Sequence, residues 1–153
     1  DFEYTSDMLC SGESFWLEEG IVEAKILFNP VKQVVSFFYL LGEKASPQVN
    51  LLEMGAKNRV GTFLQKDGNT VSHGISIGNL KKGRPYLFRL CISKDKLVWK
   101  INDQEVFETD AGNFRFPMHL NLSSIVVRDI PGSILPVNFE VDWIRCYKEK
   151  GKA

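Results

Sequence analysis

The chain has 153 residues, of which 44% are hydrophobic and 12% aromatic, enough to bury one substantial core. Lysine plus arginine and aspartate plus glutamate number 19 each, so the formal net charge is zero. A chain without net charge is not attracted electrostatically to nucleic acid or to an anionic membrane. A neutral binding partner is therefore expected. No apolar run approaches the ~20 residues of a membrane span, and residues 1–7 lack the basic start and apolar stretch of a signal peptide.

Short apolar and β-branched runs separated by turn residues follow one another along the chain, and no long stretch has a helical period. The predicted strands, in chain order, are Ile21–Phe28, Val34–Leu41, Val49–Glu53, Val60–Gln65, Thr70–Ile77, Tyr86–Ser93, Leu97–Ile101, Glu105–Glu108, Met118–Val127 and Phe139–Tyr147. Between them lie the Gly, Pro, Asn and Asp residues that turns require, at 29–30, 66–69, 102–103, 130–132 and 135–136. We therefore expect an all-β sandwich of two antiparallel sheets, one domain over residues 1–147 with a solvated tail at 148–153.

The three cysteines, Cys10, Cys91 and Cys146, are isolated along the chain and have no C-x-x-C spacing. Neither a metal knuckle nor a thioredoxin-like redox pair is indicated. Two interpretations stay open. In the favoured interpretation, the three thiols are small buried hydrophobes. In the more specific one, a Cys10–Cys146 disulfide joins the two ends of the domain, which requires their Cα atoms to lie within disulfide distance.

The strand segments, taken in order, resemble the laminarinase-like enzymes of glycoside hydrolase family 16. The resemblance rests on seven segments that follow the family's order across nearly the whole chain: Tyr4-Thr5-Ser6 with 20–26, 36–42 ("P-A-F-W-L-L-G" in the family), 47–55 ("P-E-I-D-I-x-E"), Gly61-Thr62 ("G-T-x-H"), 96–103, 116–132 and 139–147 ("M-x-V-D-Y-V-R-V-Y"). It implies a concanavalin A-like jelly roll and an exported protein, either extracellular, periplasmic or on the cell surface. The family's opening strands have no counterpart in this sequence.

The catalytic signature of that family has changed here. In the family, a bulged strand carries E-x-D-x-x-E, with a nucleophile, an organising acid and a general acid/base; the matching positions in this chain are Gln48, Asn50 and Glu53. Period-two alternation places 48, 50 and 52 on one face, so residue 53 joins them only if a bulge adds a residue. A retaining mechanism needs two carboxyl groups about 5 Å apart. The resemblance assigns the acid/base position to Glu53, and Gln48 cannot act as nucleophile.

Amide side chains can still bind a sugar. Gln48 and Asn50 offer donors and acceptors to hydroxyl groups and Glu53 accepts, although the three could equally form a structural cluster. Tyr39 lies where the family has a tryptophan on the floor of its cleft, so its ring could stack on a sugar. Trp16 is a candidate for an exposed platform. Core packing is at least as good an interpretation for Phe37, and alternation places Trp99 and Trp143 in the core.

The remaining polar residues carry weaker signals. His73 and His119 have no partner spacing for metal binding or general-base work, and Leu64 stands where the family's "G-T-x-H" histidine would fall. Asn121-Leu122-Ser123 is a formal glycosylation sequon within a predicted strand. No metal or other cofactor is expected.

Three functions remain. The favoured one is a non-catalytic carbohydrate-binding domain derived from a family 16 glycoside hydrolase, with a neutral oligo- or polysaccharide as partner and other domains of a larger exported protein beside it. The second is an active β-glucan or galactan endo-hydrolase, which the family would imply with an intact site. The third is a structural or protein-interaction β-sandwich. The first two differ in turnover, and the first and third differ in whether any oligosaccharide binds.

Overall fold

The computed structural model describes residues 3–65, 70–112 and 116–148. Within these residues the chain forms β1 Met8–Cys10, β2 Gly20–Phe28, β3 Val34–Gly42, β4 Gln48–Met54, β5 Arg59–Gln65, β6 Thr70–Ser76, β7 Arg84–Ile92, β8 Lys96–Ile101, β9 Gln104–Asp110, β10 Met118–Val126 and β11 Val141–Tyr147, with a short 3-10 turn at Gly132–Ile134. All ten predicted strands are present. β1 was not predicted because three exposed residues show no alternation. The predicted turn at 66–69 and all of the tail beyond Lys148 lie outside the described residues.

The strands form two antiparallel sheets, which confirms the predicted jelly-roll class. Sheet A has the order β1-β10-β3-β4-β5-β6, and sheet B has the order β11-β2-β7-β8-β9. Each sheet combines consecutive hairpins with strands that are distant in sequence, such as β10 beside β3 and β11 beside β2. In the described part of the chain, no helix is long and apolar enough to cross a bilayer.

The core lies between the sheets and follows the period of two along each strand. Phe38 and Leu40 of β3 and Phe88 and Leu90 of β7 belong to one cluster, and all four are at most 1% exposed. Trp99 of β8 is buried in the same cluster and packs against Phe107 at a ring distance of 5.4 Å. The prediction that Trp99 is a core residue is confirmed.

Trp143 was predicted wrongly as a core residue. The register of β11 against β2 shifts between Val141, which lies opposite Ile26, and Trp143, which lies opposite Lys25. This bulge turns the indole to the outer face of sheet B, where the guanidinium of Arg145 lies 4.1 Å from the ring centroid. β11 forms the edge of sheet B and pairs with β2.

The Asn102-Asp103 turn closes one hairpin with the chemistry that its sequence indicates. Both residues have positive φ, 49° and 66°, and they join Ile101 of β8 to Gln104 of β9. Two consecutive left-handed residues form a type I′ turn, which matches the twist of the flanking strands and favours Asn and Asp. The Asn102 side chain accepts a hydrogen bond from the Leu87 N–H at 2.8 Å, which ties the turn to β7.

Candidate functional site

A bulge in β4 brings Gln48, Asn50 and Glu53 to one face. In the pairing of β3 with β4, Phe38 lies opposite Leu52 while Tyr39 lies opposite Asn50, so Leu51 is the extra residue. Gln48 and Asn50 keep the outward direction before the bulge, and Glu53 regains it afterwards. This is the bulge that residue 53 requires in order to share a face with residues 48 and 50.

The three side chains form one hydrogen-bonded chain on the outer face of sheet A. Gln48 Nε2 donates to Asn50 Oδ1 at 3.0 Å, and Asn50 Nδ2 donates to Glu53 Oε1 at 2.6 Å. Asn50 is 3% exposed, whereas Gln48 and Glu53 are half-buried. The short contact to Glu53 is that of a charge-assisted bond. We call these residues the Gln48–Asn50–Glu53 network.

Trp99 supports the network from inside the sandwich. Between the pairs Val49–Phe63 and Glu53–Arg59, the ladder of β4 with β5 is interrupted at the bulge. The Asn50 carbonyl in this stretch accepts a hydrogen bond from Trp99 Nε1 of sheet B at 2.9 Å. A buried carbonyl must find a partner, so the core indole satisfies the backbone of the residue at the centre of the network.

Two aromatic rings flank the network. Phe37 lies opposite Glu53 and Tyr39 lies opposite Asn50, both on the outer face of sheet A and both half-buried. The interpretation of Phe37 as a core residue is therefore wrong, because its neighbour Phe38 takes the inward position. Leu64, which the sequence resemblance aligns with the family's histidine, lies directly opposite Gln48.

Trp16 is held near this face but does not form an open platform. Its indole N–H donates to the Gly12 carbonyl at 2.8 Å, and its ring meets the imidazole of His119 edge-on at 4.8 Å. The side chain is half-buried. It also forms one wall of a cavity of about 510 Å³ with Phe116 and Pro117 and with the β3–β4 turn.

β10 contributes polar groups to the outer face that the sequence argument did not assign to a site. Asn121 lies opposite Tyr39, and His119 lies opposite Leu41, which in turn lies opposite Gln48. Asn121 is 1% exposed, so its amide is not accessible for glycosylation in the folded chain. The alternation of side chains along Met118–Val126 predicts that both His119 and Asn121 face outward. The pairing of β10 with β3, which brings them near the network, has no local sequence signal.

The three cysteines are free, and no disulfide joins the ends. Cys10 is exposed, which contradicts the interpretation of all three as buried hydrophobes; Cys91 and Cys146 are half-buried. Burial raises the pKa of the Cys146 thiol, an effect that nearby Lys148 partly offsets. Among the described residues, no group of three or more His, Cys, Asp or Glu side chains is placed to hold a metal ion.

Glu23, a buried acid on sheet B, has a structural partner. It is 6% exposed on the outer face of sheet B, where Arg89 Nε donates to its Oε2 at 2.6 Å and Arg89 Nη1 also contacts Asp103 at 2.8 Å. Burial opposes the charge on Arg89, but the hydrogen bond and charge of Glu23 outweigh it and raise the Arg89 pKa. A carboxylate paired in this way is satisfied by the fold, so Glu53 remains the better candidate for ligand contact.

Comparison with solved structures confirms the predicted fold. The chain is similar to the endo-β-1,3(4)-glucanase SCLam of glycoside hydrolase family 16, with a TM-score of 0.79 and 17% identity over 94% of this chain. It is also similar to the laminarinase catalytic domain of Thermotoga petrophila, with a TM-score of 0.71 and 17% identity over 94% of the chain, and to the endo-β-1,3-glucanase of Pyrococcus furiosus, with 0.69 and 20% over 92%. No family model matches the sequence, and no curated protein is significantly similar to it.

The similarity covers only part of each neighbour. The chain spans 63% of SCLam, 69% of the Thermotoga petrophila domain and 65% of the Pyrococcus furiosus enzyme. At these identities the comparison establishes a laminarinase-type β-sandwich.

Proposed function

We propose that this domain binds neutral β-glucan oligosaccharides on the outer face of sheet A without hydrolysing them. The observation that carries the proposal is the Gln48–Asn50–Glu53 network of two amides and one carboxylate. The sequence resemblance assigns the family's catalytic signature to these three positions. The ligand class comes from the neighbours, whose names describe β-1,3- and β-1,3(4)-glucanases. We also propose that the domain belongs to an exported, multidomain polysaccharide-utilisation protein.

The chemistry of the network argues against turnover. A retaining glycosidase needs one carboxylate to form a glycosyl ester and a second to shuttle the proton, and Gln48 can form no such ester. In a serine protease, loss of the covalent nucleophile costs on the order of a million-fold in rate. Glu53 is the single carboxylate of the network, and it already accepts the Asn50 N–H at 2.6 Å.

The same atoms retain capacity for a ligand. Gln48 uses one amide N–H within the network. Among the described residues, nothing else engages its second N–H, its Oε1 or Glu53 Oε2. Both side chains are half-buried, so they reach solvent from a fixed position. The rings of Phe37 and Tyr39 beside them add apolar surface. This combination of fixed donors, acceptors and rings suits an uncharged sugar.

Titration calorimetry with laminari-oligosaccharides and mixed-linkage gluco-oligosaccharides tests the proposal. We expect Gln48→Ala and Tyr39→Ala each to weaken binding by about three- to tenfold. A neutral hydrogen bond contributes roughly 0.5–1.5 kcal/mol, and the contact of an aromatic ring contributes a similar amount. Lys100→Ala, on β8 of the other sheet, is the matched control and should leave the Kd unchanged. A reducing-sugar assay on the same polymers should show no release above buffer.

Each alternative function predicts a different outcome. Reducing-sugar release that Glu53→Gln abolishes would establish an active hydrolase. Failure of every glucan, galactan and other neutral oligosaccharide to bind would leave a structural or protein-interaction module. Binding that Lys100→Ala weakens as much as Gln48→Ala would place the ligand elsewhere.

A further inference from the structure

The sulfur of Cys10 is contacted by two nitrogen groups at the edge of sheet A. His119 Nδ1 lies 3.3 Å from Cys10 Sγ, and the Gly12 backbone N–H donates to the same sulfur at 3.3 Å. Cys10 is an exposed residue of the edge strand β1, and its sulfur has both an imidazole and a backbone donor within contact distance. An imidazole beside a thiol can take its proton, and an N–H donor favours the sulfur anion that remains.

The surrounding residues hold the imidazole in place. Asn121 Nδ2 lies 3.0 Å from His119 Nδ1, and the Trp16 ring packs edge-on against the imidazole. Trp16 also donates its indole N–H to the Gly12 carbonyl at 2.8 Å, which fixes the segment that contacts the sulfur. A Cβ atom at position 12 would lie 3.2 Å from Cys10 Sγ, so glycine allows the backbone this approach.

The second amide atom of Asn121 is an independent sign of a reacting site. Asn121 Oδ1 is buried, and it has no hydrogen-bond partner within the described part of the chain. Asn121 lies directly opposite Cys10 in the ladder of β1 with β10. When His119 Nδ1 carries the thiol proton, it no longer accepts from Asn121 Nδ2. Rotation of the amide would then give up the Nδ2 contacts to Nδ1 at 3.0 Å and to the His119 carbonyl at 3.2 Å, and would present Oδ1 to the new Nδ1–H. An unsatisfied buried acceptor beside a thiol–imidazole pair calls for such an explanation.

We propose that Cys10 is a nucleophilic thiol and the site at which this chain forms mixed disulfides with small disulfide compounds. The Cys10 proton passes to His119 Nδ1, and the sulfur anion attacks one sulfur of the incoming disulfide. A new S–S bond forms to Cys10, the S–S bond of the reagent breaks, and its second half leaves as a thiolate that takes up a proton. The incoming disulfide is the oxidant, and a free thiol reverses the reaction.

The other two cysteines provide internal comparisons. Cys91 and Cys146 are half-buried, and burial raises the pKa of the Cys146 thiol, which disfavours its reactive anion. Among the contacts of the described residues, Cys10 has an imidazole beside its sulfur, whereas Cys91 and Cys146 have none. The proposal therefore predicts an order of reactivity within one molecule.

The test uses the complete chain and dithiodipyridine, an uncharged disulfide whose thiol product is followed by absorbance. The labelled cysteine is identified by mass spectrometry of peptides. At neutral pH, folded Cys10 should react about fivefold or more faster than Cys10 in the guanidinium-unfolded chain. An ordinary thiol is only a few per cent thiolate at this pH, so proton transfer to His119 can raise the reactive fraction severalfold. A thiolate of lower pKa is somewhat less nucleophilic, which limits the gain in rate. Folded Cys91 and Cys146 should react more slowly than in the unfolded chain.

His119→Gln separates activation from simple exposure. Cys10 stays exposed in this variant, so its folded rate should fall to about the unfolded rate and its pH profile should become that of an ordinary thiol. His73→Gln, which changes the exposed histidine of β6, is the matched control and should change neither. A Cys10 that reacts no faster folded than unfolded would overturn the proposal even if His119→Gln failed to fold. An unchanged rate and pH profile in a folded His119→Gln variant would also overturn it.

Discussion

At the scale of single residues, Asn50 has the most constrained position in the candidate site. Its side chain is 3% exposed, donates to Glu53 at 2.6 Å and accepts from Gln48, while its carbonyl accepts from Trp99. An amide is neutral and can both donate and accept, so it joins an amide and a carboxylate without a charge conflict. An aspartate at this position would place a second carboxyl at hydrogen-bonding distance from the first.

Asn50→Asp should therefore destabilise the domain in a pH-dependent way. Two carboxyls in such a position must share a proton, which raises the pKa of the pair in the folded state. The folded variant then binds more protons than the unfolded one, so its stability is lost as pH rises through the folded pKa. Each unit by which the pKa of the pair rises on folding destabilises the variant by about 1.4 kcal/mol at neutral pH.

Urea unfolding of Asn50→Asp and wild type at a series of pH values measures this difference. Asn58→Asp is the control, because Asn58 Oδ1 accepts the Gly55 N–H at 3.0 Å and a carboxylate can accept it equally well. A destabilisation of Asn50→Asp that is the same in weak acid and at neutral pH would show that the network holds no like-charge contact.

At the scale of elements, Gly61 determines how β5 passes over sheet B. Its φ is +90°, and a Cβ atom there would lie 2.3 Å from the Phe107 ring, which itself packs against Trp99. Gly61→Ala should cost about 2–5 kcal/mol, the sum of backbone strain and overpacking. Gly78→Ala, where no atom lies within 4 Å, should change the free energy of unfolding by less than about 0.5 kcal/mol. Equal effects in chemical denaturation would contradict the close approach of β5 and β9.

The sequence predicted elements well where alternation was regular, and it failed where a bulge intervened. The bulge at Leu51 was inferred because the spacing of a known motif required it, whereas the bulge between Val141 and Trp143 had no such guide, and Trp143 was assigned to the wrong face. A single inserted residue reverses the direction of every later side chain. The Cys10–His119 contact was not predicted because it joins residues 109 positions apart on strands whose pairing has no local signal.

At the scale of the whole molecule, the two sheets share one core, and the chain should unfold in one step. Calorimetry should show a single transition with an enthalpy of about 100 kcal/mol, from roughly 0.7 kcal/mol per residue. The calorimetric enthalpy should equal the van 't Hoff value, because strands of both sheets pack on the same cluster of buried side chains. Two transitions, or a calorimetric enthalpy well above the van 't Hoff value, would contradict the single domain expected over residues 1–147.

The hydrogen bond from Trp99 to the Asn50 carbonyl makes the core indole an optical reporter of the outer face. The chain has three tryptophans, and Trp99 is 1% exposed, whereas Trp16 and Trp143 are half-buried. With the latter two replaced by phenylalanine, emission comes from an indole whose N–H is bonded to the residue at the centre of the network. A ligand that displaces Asn50 also moves its carbonyl and changes the electric field at the Trp99 N–H. Ligand binding should then shift the emission wavelength of Trp99, with no label attached to the protein or to the ligand.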